Sequence, residues 1–313
     1  MDMLEKIANK YQAYEPADKS EFQRRSRILQ SMWREEKIYP IGEQLNKHGV
    51  HKLGSRLKMP QAEDELLNYL TPSIQKVVKD EVINREKSKG KLYKKPRIFD
   101  DLLSSQPLCF NLFGELQCDL KLATSVLTAM LPDRIQRVTG IEFEYSPGRQ
   151  DPKYTGDSTA FDIYVTFNNK RGKKGFLGIE VKYHEDLQGK PSPHRVRYDE
   201  IANLMRCFKY ETLDRLRRKP LQQIWRDHLL SGILRFEGGF EDGFYIFLYP
   251  KDNIYCKQAV AKYRECLTNT ATFKDWTLEE ITSVIKNHTS AGWIGAFIDR
   301  YLNFGKLDKA AAS

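Results

Sequence analysis

The sequence predicts an α/β protein: a small mixed β-sheet flanked by helices, preceded by a helical N-terminal region. Three observations carry this expectation. Residues 141–145 and 160–167 alternate apolar and polar side chains, and residues 175–183 are rich in apolar and β-favouring types, as strands are. Residues 244–249, FYIFLY, are apolar on both sides, which suits a strand covered on both faces. Between and before these segments the apolar residues recur at helical intervals.

In chain order, Ser20 and Gln23 have the spacing of a capping box ahead of Ile28, Leu29 and Met32, which predicts a helix to about Glu36. Pro60 and Pro72 suit the first turns of two more helices, the second with Ile74, Val77, Val78 and Val82 on one side. The stretch REKSKGKLYKKPR, residues 85–97, sets seven basic residues against Glu86, and Gly90 weakens any helix there, so it reads as a basic linker. Helical periodicity returns over residues 98–131, with a break expected near Pro107. The second and third strands are joined by NNKRGKKG, whose Asn and Gly residues permit a reversal and predict an antiparallel hairpin. Two helices, 197–218 and 220–236, lead to the strand at 244–249. The resulting division is a helical region with its linker, 1–95, and an α/β domain, 96–313.

Composition narrows the function. With 313 residues, 40% of them hydrophobic and 12% aromatic, the chain can bury a substantial core. No apolar run reaches the ~20 residues of a membrane helix, and MDMLEKIANK lacks an apolar signal core, so a cytoplasmic protein with no membrane partner is expected. Five cysteines without CxxC spacing argue against a disulfide framework and a zinc ribbon. The chain holds 51 basic and 42 acidic residues, a net charge of +9, which biases it toward polyanions such as nucleic acid without naming one. There is no GxxxxGK[ST] loop, GxSxG elbow or HExxH helix, so nucleotide-hydrolysing, serine-hydrolase and zinc-protease chemistries find no support.

The informative stretch is FDIYVTFNNKRGKKGFLGIEVKYHEDL, residues 161–187. Side chains alternate across a strand, so Phe161, Ile163, Val165 and Phe167 share one face and Asp162 takes the other. Likewise Ile179, Val181 and Tyr183 leave Glu180 and Lys182 together opposite. Two carboxylates on adjacent strands are hard oxygen ligands for Mg²⁺ or Mn²⁺, and a cation relieves their repulsion. Lys182 would orient a water or neutralise charge growing on a phosphate, so the set suits metal-assisted phosphodiester hydrolysis. The competing reading is a surface ion cluster.

Asp162, followed after seventeen residues by Glu180, Val181 and Lys182, resembles the PD-(D/E)XK nuclease superfamily with its restriction-endonuclease-like fold. LLSSQPLCFNLFGEL, GIEFEYSPGR, GFLGIEVKYHEDL and PLQQIWRDHLLSGIL are similar to a bacterial branch of PD-(D/E)XK nuclease-like proteins, a likeness spanning most of residues 98–285. Phe161 stands where Pro often precedes the Asp. The resemblance implies a Mg²⁺- or Mn²⁺-dependent deoxyribonuclease with Asp162 and Glu180 as metal ligands and Lys182 as a catalytic residue. It also implies an earlier acid, for which Glu144 is chosen and Glu115 competes. His184 and Glu185 either touch the site or form a solvated strand end. Gln223 and Arg226, three apart on one helix face, resemble a glutamine-bearing helix that braces the site or contacts DNA. Lys170, Arg171, Lys173 and Lys174 at the hairpin tip, like residues 85–97, are either DNA contacts or ordinary solvated turns. A role in restriction, phage defence or repair, a homodimer and a partner protein in a defence system follow by analogy. The alternative is an inactive nucleic-acid-binding or scaffolding subunit that keeps the fold.

Overall fold

Two compact units make up the chain: Met1–Ser88, Tyr93–Glu115 and Ser290–Ser313 form one, Lys89–Leu92 with Leu116–Thr289 the other. The structure, a computed structural model, describes residues 3–46 and 49–312.

In the first unit, the helix Glu21–Glu36 starts at the expected capping box: Ser20 accepts from the Gln23 N–H while the Gln23 side chain accepts from the Ser20 N–H. Ile28, Leu29 and Met32 are buried on its inner side. Two strands that the sequence does not advertise follow, β1 (Ile41–Asn46) and β2 (Gly49–Leu57), paired antiparallel. Their polar content, with Glu43, Gln44, His51 and Lys52, hides the alternation on which strand prediction depends. Pro72 opens the helix Pro72–Val78, whose Ile74, Val77 and Val78 are buried along with Val82 in the turn beyond. Pro60 caps only a single short turn, Gln61–Asp64.

The expected break near Pro107 lies just before it: the short helix Arg97–Asp100 ends, and residues 101–104 are not helical. Pro107 lies in the first turn of the helix Ser105–Cys118, where its missing N–H costs no intrahelical bond. A second interruption comes at Asp119, whose carboxylate caps the N–H groups of Lys121 and Leu122 to start the helix Leu120–Met130.

The second unit is built on a five-stranded sheet in the order β3-β4-β5-β6-β7: β3 (Arg137–Tyr145), β4 (Phe161–Asn168), β5 (Lys174–Val181), β6 (Asp242–Tyr249) and β7 (Phe273–Thr277). β3, β4 and β5 are antiparallel neighbours; β6 and β7 join parallel to β5. The mixed sheet and the predicted hairpin are both present. β6 is buried from end to end, as its apolar sequence requires. β7, FKDWT, is a short edge strand with two charges, the kind of segment that reads as a loop. The expected helix 197–218 is divided: Val196–Met205 ends at Arg206, which takes a left-handed backbone at φ 53°, and two short turns follow.

One sheet face carries Tyr164, Phe176, Tyr245 and Phe247 against the helices Val196–Met205, Gln222–Glu237 and Ile254–Glu265. Gly178 sits where a Cβ would lie 2.4 Å from the Phe161 ring, so only glycine lets that ring cross the hairpin beside Asp162. Among the described residues no helix is long and apolar enough to cross a membrane.

Candidate active site

The register of the sheet builds the site. Ile163 pairs with Ile179 across β4 and β5, so the next pair outward sets Asp162 opposite Glu180. On the other side of β4, Phe143 pairs with Ile163 and Tyr145 with Phe161, which brings Glu144 opposite Asp162. Directly opposed residues share a face with Cβ atoms about 5 Å apart. Glu144, Asp162 and Glu180 therefore form one row across three strands, with Lys182 just past the end of β5.

Local contacts fix each side chain. Asp162 Oδ2 accepts the Val181 N–H at 2.8 Å. Glu180 Oε1 accepts two donors, Lys182 Nζ at 2.5 Å and Gln223 Nε2 at 2.6 Å. Glu180 and Lys182 are buried, at 5% and 7% exposure, so this is an internal ion pair rather than a surface one. Glu144 takes a left-handed backbone at φ 50°, a strained conformation for a residue with a Cβ. Its carboxylate is met by Arg149 Nη2 at 2.7 Å and by the backbone of Leu92.

Crowding of acids sets the electrostatics. Burial and then the Glu180 carboxylate push the Asp162 carboxyl well above its usual range, against the pull of Lys182. Burial likewise raises Glu144, opposed by Arg149. For Lys182 burial works toward neutrality, but Glu180, Glu185 and Asp162 outweigh it and hold the ammonium charged. Asp162 Oδ1 and Glu180 Oε2 accept no hydrogen bond from any described residue, which leaves one oxygen of each acid without a donor. That donor set, two hard oxygens with waters completing the shell, fits Mg²⁺ or Mn²⁺. No cluster of three His, Cys, Asp or Glu side chains suited to a metal ion occurs among the described residues.

Other candidates fall in different places. Glu115 accepts the Thr71 hydroxyl at 2.5 Å within the first unit. Glu185 folds back to accept the Tyr183 N–H at 2.7 Å, and although burial opposes it, His184 and Lys182 hold its carboxylate below the usual range. Gln223 reaches the row. Arg226 does not: its Nε and Nη2 grip Asp157 at 2.8 and 2.6 Å, Nη2 also meets the Thr159 hydroxyl at 2.6 Å, and Nη1 meets the Ser192 hydroxyl at 2.8 Å. The hairpin tip lies beyond the far end of the acids' own strands, past Asn168, which is six residues or about 20 Å from Asp162. There Arg171 is paired with Glu241, and Lys170 lies 4.0 Å from Asp133. The loop Lys89–Leu92 of the basic tract, in contrast, adjoins the row through Leu92 and Glu144.

Two further ionisable residues stand at the site. Asp227, one turn after Gln223 and buried, has its carboxyl raised well above the usual range by burial and by Glu180, and the Tyr245 hydroxyl lies 3.5 Å away. Its position four residues beyond Gln223 was the available signal. Arg149 lies in the SPGR loop, at the end of the family-like segment GIEFEYSPGR, and that likeness gave it no role.

A family model described as the PD-(D/E)XK nuclease superfamily matches residues 16–303. No curated protein and no solved structure matches the chain.

Proposed function

The chain belongs to the PD-(D/E)XK nuclease superfamily, and from that premise we propose that it is a metal-dependent nuclease hydrolysing phosphodiester bonds, a DNA endonuclease serving restriction, phage defence or repair. The observation that supports this most is the row Glu144, Asp162 and Glu180 with Lys182 beside it on one face of the sheet. A divalent ion such as Mg²⁺ or Mn²⁺, held by Asp162 and Glu180, supplies Lewis-acid polarisation of the phosphate when bound.

The chain's own residues do the remaining work. Lys182, kept charged by its acidic neighbours, orients the attacking water and faces the charge that grows on the phosphate. Gln223 holds the Glu180 carboxylate in one orientation and thereby the oxygen turned to the cation. Glu144 is the additional acid. Burial and then Glu180 raise the Asp227 carboxyl well above its usual range, which disfavours a further negative charge beside Glu180. The loop Lys89–Leu92 and the hairpin tip supply cations that track phosphates on either side of the cut. Residues 96–313 carry the chemistry and 1–95 are an appended region. One site per chain makes a pair of chains the simplest way to cut both strands, alone or with a defence partner.

A second reading, an inactive nucleic-acid-binding or scaffolding subunit, draws on the depth of the Lys182–Glu180 pair, since buried pairs also serve structure. Incubating the protein with supercoiled and linear DNA, single strands and RNA under Mg²⁺ and Mn²⁺ separates the two. Metal-dependent nicking that disappears in Asp162→Ala is expected. Binding without cleavage would establish the second reading instead, and equal cleavage by Asp162→Ala would remove Asp162 from the chemistry.

A further inference from the structure

We propose that Arg149 is a substrate-binding residue of this site, its guanidinium taking a non-bridging oxygen of the phosphodiester that lies over the row of acids. The inference rests on the nuclease reading and adds to it a loop cation to which the sequence assigned no role.

Three observations carry it. First, Arg149 is placed at the row itself: Nη2 lies 2.7 Å from Glu144 Oε1, and Glu144 interacts electrostatically with both Asp162 and Glu180. Second, the guanidinium is only partly used. A guanidinium has five N–H donors. Among the described residues those of Arg149 meet two acceptors, Glu144 Oε1 and the Ser158 carbonyl at 2.5 Å. Its side chain keeps 16% exposure, so the guanidinium is not sealed from solvent. Arg226, on the same face of the domain, is the contrast: its donors are spent on Asp157, Thr159 and Ser192, and it acts as a bracket.

Third, that bracket makes the Arg149 loop stiff. Asp157, gripped by Arg226, also accepts the Tyr198 hydroxyl at 2.7 Å, the Thr155 hydroxyl at 2.7 Å and the Thr159 N–H at 2.9 Å. The Asp157 carbonyl accepts the N–H of Gln150, the residue after Arg149, at 2.6 Å. Gly148 is packed so closely that a Cβ would stand 2.9 Å from the Tyr154 ring. An arginine on a loop pinned at both ends, with donors to spare beside a metal-binding row, is preorganised for a phosphate. Its pairing with Glu144 has a second consequence: an incoming phosphate competes for the guanidinium and releases the Glu144 carboxylate to the site.

The test compares wild type, Arg149→Gln and Arg149→Lys in Mg²⁺ or Mn²⁺, measuring rates at saturating and limiting DNA together with melting temperature. Arg149→Gln should fold and bind metal normally, yet cleave on the order of 10² more slowly, as when a transition-state donor is removed. Arg149→Lys, which keeps the charge but loses the fork, should recover part of that activity. Cleavage by Arg149→Gln at the wild-type rate overturns the proposal. If Arg149→Gln does not fold, Arg149→Lys decides: an unchanged melting temperature with slower cleavage supports the phosphate contact, and wild-type cleavage refutes it. If wild type binds DNA but cuts nothing, the nuclease reading falls alone. Arg149 is then judged by DNA affinity, which Arg149→Gln must weaken for the proposal to stand. A chain that neither cuts nor binds nucleic acid removes both.

Discussion

Gln223 donates to Glu180 Oε1 at 2.6 Å, the same oxygen that Lys182 occupies from the other side at 2.5 Å. One carboxylate oxygen thus faces two donors, and the other is directed away from both. Gln223→Leu should leave the fold close to wild type, because Glu180 keeps Lys182, while the carboxylate loses one of its two constraints. The expected result is a drop of about 10- to 100-fold in metal affinity or cleavage rate, the range for removal of outer-shell partners. Metal titration followed by melting temperature measures the first and plasmid nicking the second. An unchanged metal response would mean that Gln223 only fills space.

Lys182 and Asp162 should respond to metal in opposite ways. Lys182→Met removes the cation bonded to the buried Glu180 carboxylate, so the metal-free protein should lose about 3–5 kcal/mol, and added Mg²⁺ or Mn²⁺ should restore part of it by mass action. Asp162→Asn removes one of two repelling acids, so the metal-free protein should be as stable as wild type or more so, with no shift on adding metal. Identical metal responses in the two variants would mark the three residues as a structural ion cluster.

The Asp157 bracket makes a pH prediction. Burial by itself would raise this carboxyl, but Arg226 and the Thr159, Tyr198 and Thr155 hydrogen bonds hold it at about 2, against 3.8 unpaired. The folded value is depressed, so the stabilisation is present above pH 3.8 and disappears as pH falls toward about 2. A shift of that size is worth about 2 kcal/mol. Asp162 and Asp227, whose values are raised, contribute with the opposite sign, so the difference between wild type and Asp157→Asn isolates the bracket. Unfolding free energies of the two proteins should differ at about pH 6 and converge toward about pH 2. A constant gap would refute this.

At the hairpin tip, Lys173 and Lys174 have no acidic partner among the described residues, whereas Arg171 is paired with Glu241. If the tip tracks phosphates, replacing Lys173 and Lys174 by Ala should flatten the dependence of log affinity on log salt by up to ~0.9 for each phosphate no longer neutralised, and Arg171→Ala should change it less. Equal slopes for all variants would return the tip to a solvated turn.

What the sequence determined by itself was local or periodic. The capping box at Ser20 and Gln23, the hairpin around NNKRGKKG, the fully buried β6 and the common face of Asp162, Glu180 and Lys182 follow from nearest neighbours and from the two-residue period of a strand. The segments it missed, β1, β2 and β7, are polar ribbons or edges in which solvent erases the apolar alternation. The break just before Pro107 was legible, but the second one, at Asp119, was missed because its cap is a local carboxylate contact inside an apolar run. Only the tertiary structure could say which loop meets which strand. It set Glu144 opposite Asp162 through the pairing of β3 with β4, spent Arg226 on Asp157 and left Arg149 with donors to spare, and it put the basic tip more than about 20 Å from the acids. Each of these depends on register and on neighbours distant along the chain, which no short window of residues contains.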